Sequence, residues 1–257
     1  MVLSFFEWWQ IIMETKTIQR PDGTKIVYDE YGDRQRQTLF LLHGNGGSAR
    51  YFRPQITQYA QYFHVIAIDT RGHGRSSNTQ RRITFDDMVS DIEAIRQTVQ
   101  VETVYILGYS DGANIGIKYA TLYPKRVTRL VLNAPNLSKK GVYRVLWWFD
   151  RTAQFLTRLL APINHYAKRR YQQLHVMSEP LNISRRDLER ISAPTLLVIG
   201  RFDLVKKRHI ERIAAILPHA EILIIPRGGH FVTYTNPKKF STLVLPFLRQ
   251  GVAHETD

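Results

Sequence analysis

Cysteine is absent from the 257 residues, which excludes disulfides, thiolate metal ligands and a cysteine nucleophile. The compartment stays open, since a thiol-free chain tolerates either redox environment. Acidic residues are scarce: 22 Asp and Glu face 36 Lys and Arg, for a net charge of +14. No apolar run is long enough to span a bilayer. The run Val2 to Met13 is apolar but interrupted by Glu7, and it lacks the basic start and small-residue cleavage site of a signal peptide. It reads as a short helix packed on the domain or, through Phe5, Phe6, Trp8 and Trp9, as a membrane-surface or dimer contact. No internal repeat or low-complexity tract is visible. With 44 % hydrophobic and 23 % charged residues, the expectation is a single soluble domain over residues 1–257.

The positive charge is uneven. Between Asn136 and Arg190 eleven Lys or Arg face four acids, which is half of the net excess. Such a bias raises anionic membranes, acidic substrates and nucleic acid as partners. Nucleic acid is not expected, because no recognised binding module accompanies the charge.

Residues Glu14 to Arg20 and Lys25 to Tyr31 alternate in polarity around the turn signal Pro21-Asp22-Gly23, as in an antiparallel hairpin with one wet face. The pattern then changes to short continuous apolar runs at 38–42, 65–68, 104–107, 130–132, 195–199 and 222–225. These predict strands buried on both faces of a mostly parallel sheet. Between them, Phe85 to Gln97 carries Met88, Ile92 and Ile95 at helical spacing, with Asp86, Asp87 and Asp91 in its first turns, where the helix dipole favours carboxylates. Alternating strands and helices imply a doubly wound α/β fold. The stretch from about 137 to 191 is too long for a plain crossover and predicts an inserted helical cap.

Gly108-Tyr109-Ser110-Asp111-Gly112 follows the strand at 104–107 and opens an apolar helix over Ala113 to Tyr123. Glycines flanking a serine remove side chains that would clash in a sharp strand-to-helix turn, leaving the hydroxyl exposed in a strained backbone. A serine nucleophile needs a histidine base, and that base needs a carboxylate to fix its tautomer. His230, in Arg227-Gly228-Gly229-His230, and Asp203, after the strand ending at Ile199, are the candidates. Taken alone, His230 also reads as a surface residue and Asp203 as a helix cap before Val205 to Leu217. Metal binding is not expected, since no H-x-x-x-H or H-x-H pair appears.

These features resemble the α/β-hydrolase superfamily over nearly the whole chain. Leu41-Leu42-His43-Gly44-Asn45-Gly46-Gly47 looks like its oxyanion loop, and Asp69-Thr70-Arg71-Gly72-His73-Gly74-Arg75-Ser76 like the loop after its fourth strand. The resemblance implies an α/β-hydrolase fold, a Ser110, Asp203, His230 triad in the family's chain order, and an oxyanion hole from the backbone N–H groups of Asn45 and Asp111. His43, Arg71, His73 and Arg75 read as loop scaffolding. The Ser-Asp-Gly elbow also resembles amino-acid-ester hydrolases related to valacyclovir hydrolase, in which the carboxylate after the nucleophile receives an α-amino group.

The resulting expectation is cofactor-free hydrolysis of a small-molecule carboxylic ester through an acyl-Ser110 intermediate. Thioesterase, lactonase, amidase and carbon–carbon bond hydrolase activities share the triad, and a low-turnover binding protein on the same fold stays open. Substrate contacts are expected from Asp111, Tyr109, Trp147 and Trp148. In the cap, Trp147, Trp148, Phe155 and Leu159 are expected to pack over the sheet while the basic residues face solvent. The alternative is an aromatic, basic lid lying on anionic lipid. The expected location is cytoplasmic, with peripheral membrane contact through the N-terminal aromatics and the cap as an option; the sequence does not specify an oligomeric state.

Overall fold

The computed structural model describes residues 14–250, without the side chains of residues 144–147. The N-terminal aromatic run and the Trp147 side chain therefore lie outside the described residues. Eight strands form one sheet in the order β1-β2-β4-β3-β5-β6-β7-β8. They are β1 (Glu14–Gln19), β2 (Lys25–Tyr31), β3 (Thr38–Leu42), β4 (His64–Asp69), β5 (Val104–Tyr109), β6 (Val127–Asn133), β7 (Thr195–Phe202) and β8 (Ala220–Gly229). β2 runs antiparallel to both β1 and β4, and every pairing from β4 through β8 is parallel. This is the α/β-hydrolase fold the sequence implies.

The helices are α1 (Arg53–Ala60), α2 (Phe85–Thr98), α3 (Asp111–Leu122), α4 (Arg144–Leu160), α5 (His165–Val176), α6 (Arg185–Glu189), α7 (Lys207–Ala214), α8 (Val232–Thr235) and α9 (Pro237–Arg249). One face of the sheet packs Phe40, Ile106 and Leu132 against α2, α3 and α7 through Ile92, Ile115 and Ile213. The other packs Leu41, Ala67 and Leu107 against α1 and α9 through Ile56, Phe240 and Val244. Covering both faces explains why β3, β4 and β5 are buried at every position. The four-residue apolar run in β8 behaves differently: Ile222 and Ile224 stay partly exposed, because β8 is the sheet edge with only β7 beside it.

α2 starts on a capping box in which Thr84 accepts from the Asp87 N–H and the Asp87 carboxylate accepts from the Thr84 N–H. Asp91 does not serve the helix end. It is buried and holds the Arg71 guanidinium in a two-pronged ion pair.

Between β6 and β7 lie α4, α5 and α6. α5 is tied down by side chains reaching backbone carbonyls of the body: Arg169 and Gln173 donate to Gly72, Arg169 also to Gly74, and Gln172 to Gln80 and Arg81. α4 overturns the expectation that its bulky residues pack inward. Trp148, Phe149, Phe155 and Leu159 are 71, 70, 61 and 60 % exposed, whereas Asp150, Gln154 and Thr157 are the more sheltered. The reason is the helix beside it: Gln154 donates to the Leu174 carbonyl and to Ser178, so the polar stripe of α4 is the one that meets α5.

Candidate active site

The site is built where the parallel strands end. β5 runs into α3 through Ser110, whose φ of 53° and ψ of −116° put a side-chain-bearing residue in backbone space that normally belongs to glycine. Hydrogen bonds hold it there. The Ser110 N–H donates to the Asn133 carbonyl at 2.9 Å, and the Ser110 carbonyl accepts from Ala113 and Asn114 at 2.9 and 3.0 Å. The two glycines of the pentapeptide are required by contact as well: a Cβ on Gly108 would collide with the Gly112 carbonyl, and one on Gly112 with the carbonyls of Leu42 and His43.

The loop after β3 lies against the elbow. A Cβ on Gly44 would come within 3.2 Å of the Ser110 Cβ. Buried His43 shapes this loop, its Nδ1 donating to the Gly44 carbonyl at 2.7 Å while Nε2 accepts from the Thr70 N–H at 3.2 Å. Burial lowers its pKa, so it is a neutral scaffold. Its neighbour His73 is pushed down to about 3, first by burial and then by His43. Asp69, at the end of β4, joins the two loops by accepting from the N–H groups of Ala49 and Arg75 and from the Arg75 guanidinium. His43, Arg71, His73 and Arg75 are thus all occupied in loop architecture.

Asp203 and His230 come from different strand ends and meet: His230 Nδ1 lies 2.8 Å from Asp203 Oδ1. The Asp203 side chain is fully buried and also accepts from the N–H of Val205 at 3.0 Å and of Gly200 at 3.3 Å. It is not a helix cap, because α7 begins later, behind Lys206. With Nδ1 engaged, the opposite nitrogen Nε2 is left as the acceptor of the imidazole. The His230 ring sits 5.2 Å from that of Tyr109, the residue before Ser110.

Asp111 opens α3, so its N–H is among the helix amides without an intrahelical acceptor. Its carboxylate accepts from Asn45 Nδ2 at 3.0 Å and from Asn114 Nδ2 at 3.4 Å. Burial nevertheless raises its pKa against the Asn45 bond, and the negative charge of Asp150 adds to the rise. Asp150 is itself raised by burial. One of its oxygens accepts from Gln154 at 2.7 Å; the other is buried with no hydrogen-bond partner among the described residues.

The sequence did not single out Asp150, nor the second task of Asn45, whose amide also donates to the Gln173 carbonyl of α5 at 2.6 Å. Arg170 was equally invisible, yet its guanidinium covers Gly46. Tyr109 is a buried packing residue, stacked on Tyr51 at 4.6 Å between ring centres. Trp148, on α4, is mostly exposed.

The sequence pattern of the alpha/beta hydrolase fold family matches residues 37–163. A protein of Caulobacter sp. (strain K31), provisionally named carbamate hydrolase RutD, is 28 % identical over 243 residues, covering 83 % of this chain and 91 % of its own. A Bacillus subtilis (strain 168) protein, provisionally named 2-succinyl-6-hydroxy-2,4-cyclohexadiene-1-carboxylate synthase, is 27 % identical over 274 residues, covering 92 % of this chain and 99 % of its own. Among solved structures, a hydrolase from Pseudomonas aeruginosa PA01 superposes with a TM-score of 0.74 at 23 % identity, covering 91 % of this chain and 98 % of its own.

Proposed function

Because the chain belongs to the α/β-hydrolase superfamily and is a hydrolase, we propose that it cleaves a carboxylic ester of a small molecule through an acyl-Ser110 intermediate. The observation that carries this reading is the 2.8 Å contact of His230 Nδ1 with Asp203. That contact fixes the tautomer in which Nε2 is free to take a proton.

In this mechanism Ser110 Oγ attacks the ester carbonyl while its proton passes to His230 Nε2. The imidazolium, stabilised by Asp203, then protonates the departing alcohol, and the C–O bond breaks. In the second half His230 takes a proton from water, the hydroxide adds to the acyl carbon, and Ser110 leaves with its proton restored. The N–H groups of Asn45 and Asp111 hold the oxyanion of each tetrahedral intermediate, a contribution of about 3–4 kcal/mol per donor in such sites. The same steps act on a carbamate through a carbamoyl-Ser110, which the name of the Caulobacter relative keeps in view.

A second reading concerns the substrate. Asp111, next to the nucleophile, and Asp150, whose charge acts on Asp111, both with pKa values raised by burial, favour an ester bearing an amine close to the scissile bond. A cation there would relieve the cost of ionising both acids.

Labelling with a fluorophosphonate probe tests the mechanism. The expected result is covalent modification of the wild type and none of Ser110→Ala; an unlabelled wild type without ester turnover refutes it. Matched esters with and without an α-amino group test the substrate reading, which fails if the amine gives no gain in kcat/KM.

A further inference from the structure

The outward face of α4 is apolar, and nothing among the described residues covers it. Trp148, Phe149, Phe155, Leu156, Leu159 and Leu160 are all at least half exposed and follow helical spacing along one side. The connection to α5 prolongs the strip through Ile163 and Tyr166, which are 84 and 77 % exposed. A helix packed on a soluble domain ordinarily buries this stripe; here the buried stripe is the polar one described above. An exposed apolar strip of this length marks a surface that meets something apolar.

Its surroundings say what. At the end of the strip, Arg158, Lys168, Arg81 and Arg82 line a concavity of about 560 Å³ floored by Pro162, Tyr171 and Gln172. None of these four cations has an acidic partner among the described residues, although salt bridges are abundant elsewhere in the chain. Arg151 adds a further exposed cation on the flank of α4. Unpaired cations beside an apolar helix face form the amphipathic pattern that lies in a membrane interface, with apolar groups in the acyl boundary and cations against lipid phosphates. A second copy of this chain would bring the same cations, in a molecule of net charge +14, against themselves.

We propose that the outward face of α4, with the basic concavity at its end, docks on an anionic bilayer surface, Phe155 and Leu159 entering the interface and Arg158, Lys168, Arg81 and Arg82 binding lipid headgroups. None of these docking residues belongs to the nucleophile elbow or to the Asp203–His230 pair. The docking is independent of which bond the enzyme cleaves.

Co-sedimentation of the full chain with vesicles tests it, using phosphatidylcholine alone and phosphatidylcholine mixed with phosphatidylglycerol, at low and high salt. The wild type is expected to sediment with the anionic vesicles and to release as salt rises. The double variant Phe155→Ser/Leu159→Ser should bind at least ~10-fold more weakly, with unchanged melting and unchanged hydrolysis of a water-soluble ester. Arg158→Glu and Lys168→Glu should each weaken binding to the anionic vesicles by about fivefold. Failure of the wild type to sediment, or variants that sediment like it, would overturn the proposal. So would binding lost on removing residues 1–13 but kept by the α4 variants, or a dimer that Phe155→Ser/Leu159→Ser dissociates without any vesicle binding.

Discussion

Replacing Ser110 by glycine should make the protein more stable while abolishing its activity. The serine sits at φ 53° and ψ −116°, a region open to glycine and costly for any residue with a Cβ. Strain of this kind is worth about 1–3 kcal/mol, and the distance of this ψ from the ordinary left-handed well argues for ~2–3 kcal/mol. Glycine also widens the unfolded ensemble, which takes back ~0.5–1 kcal/mol. The net gain is ~1–2.5 kcal/mol, or ~2–5 °C in melting temperature for a chain of this size. The proper reference is Ser110→Ala, which loses the same hydroxyl but keeps the Cβ and hence the strain. Thermal and urea unfolding of wild type, Ser110→Ala and Ser110→Gly, followed by circular dichroism, provide the comparison. If Ser110→Gly melts no higher than Ser110→Ala, the elbow stores no strain and the reasoning is wrong.

Asp203→Asn should leave melting nearly unchanged while lowering kcat by roughly 10⁴-fold, because the amide presents the wrong partner to His230 Nδ1; a loss under tenfold would remove Asp203 from the mechanism. Asp150→Asn should raise the melting temperature at pH 7. A carboxyl whose folded pKa lies above its unfolded value binds the proton more tightly when folded, so wild-type stability falls as pH rises from the unfolded pKa through the folded one. The variant lacks this loss, and its advantage should vanish below about pH 4; an equal advantage at pH 3 and pH 7 would show that charge is not the cause.

What could be read ahead of the structure follows from how local each signal is. The run Thr38 to Leu42 is a strand from end to end, because burial on both faces writes itself into consecutive residues. The elbow was legible because its backbone demands glycines at fixed offsets from Ser110. Asp203 and His230, 27 residues apart, were found through chain order and the loops that follow strands, and the fold brings them into contact. The α4 helix was foreseen, but its orientation was not: periodicity says that a helix has an apolar side, and only the neighbour decides which way that side faces. Gln154 answering Leu174 and Ser178 is that decision. Asp150 escaped for the same reason, since a carboxylate becomes unusual only when distant residues shut out its water.

The two cap helices are fastened very differently. α5 is stitched by Arg169, Gln172 and Gln173 to carbonyls of the loops at 72–74 and 80–81, and by Asn45 to the loop beside Ser110. Lifting it would break several hydrogen bonds at once and pull on the donor loop itself. α4 leans mainly on α5. The cap is therefore anchored to the body through α5: a change that loosens α5 reaches the loop carrying the Asn45 amide, whereas one confined to the outward face of α4 does not.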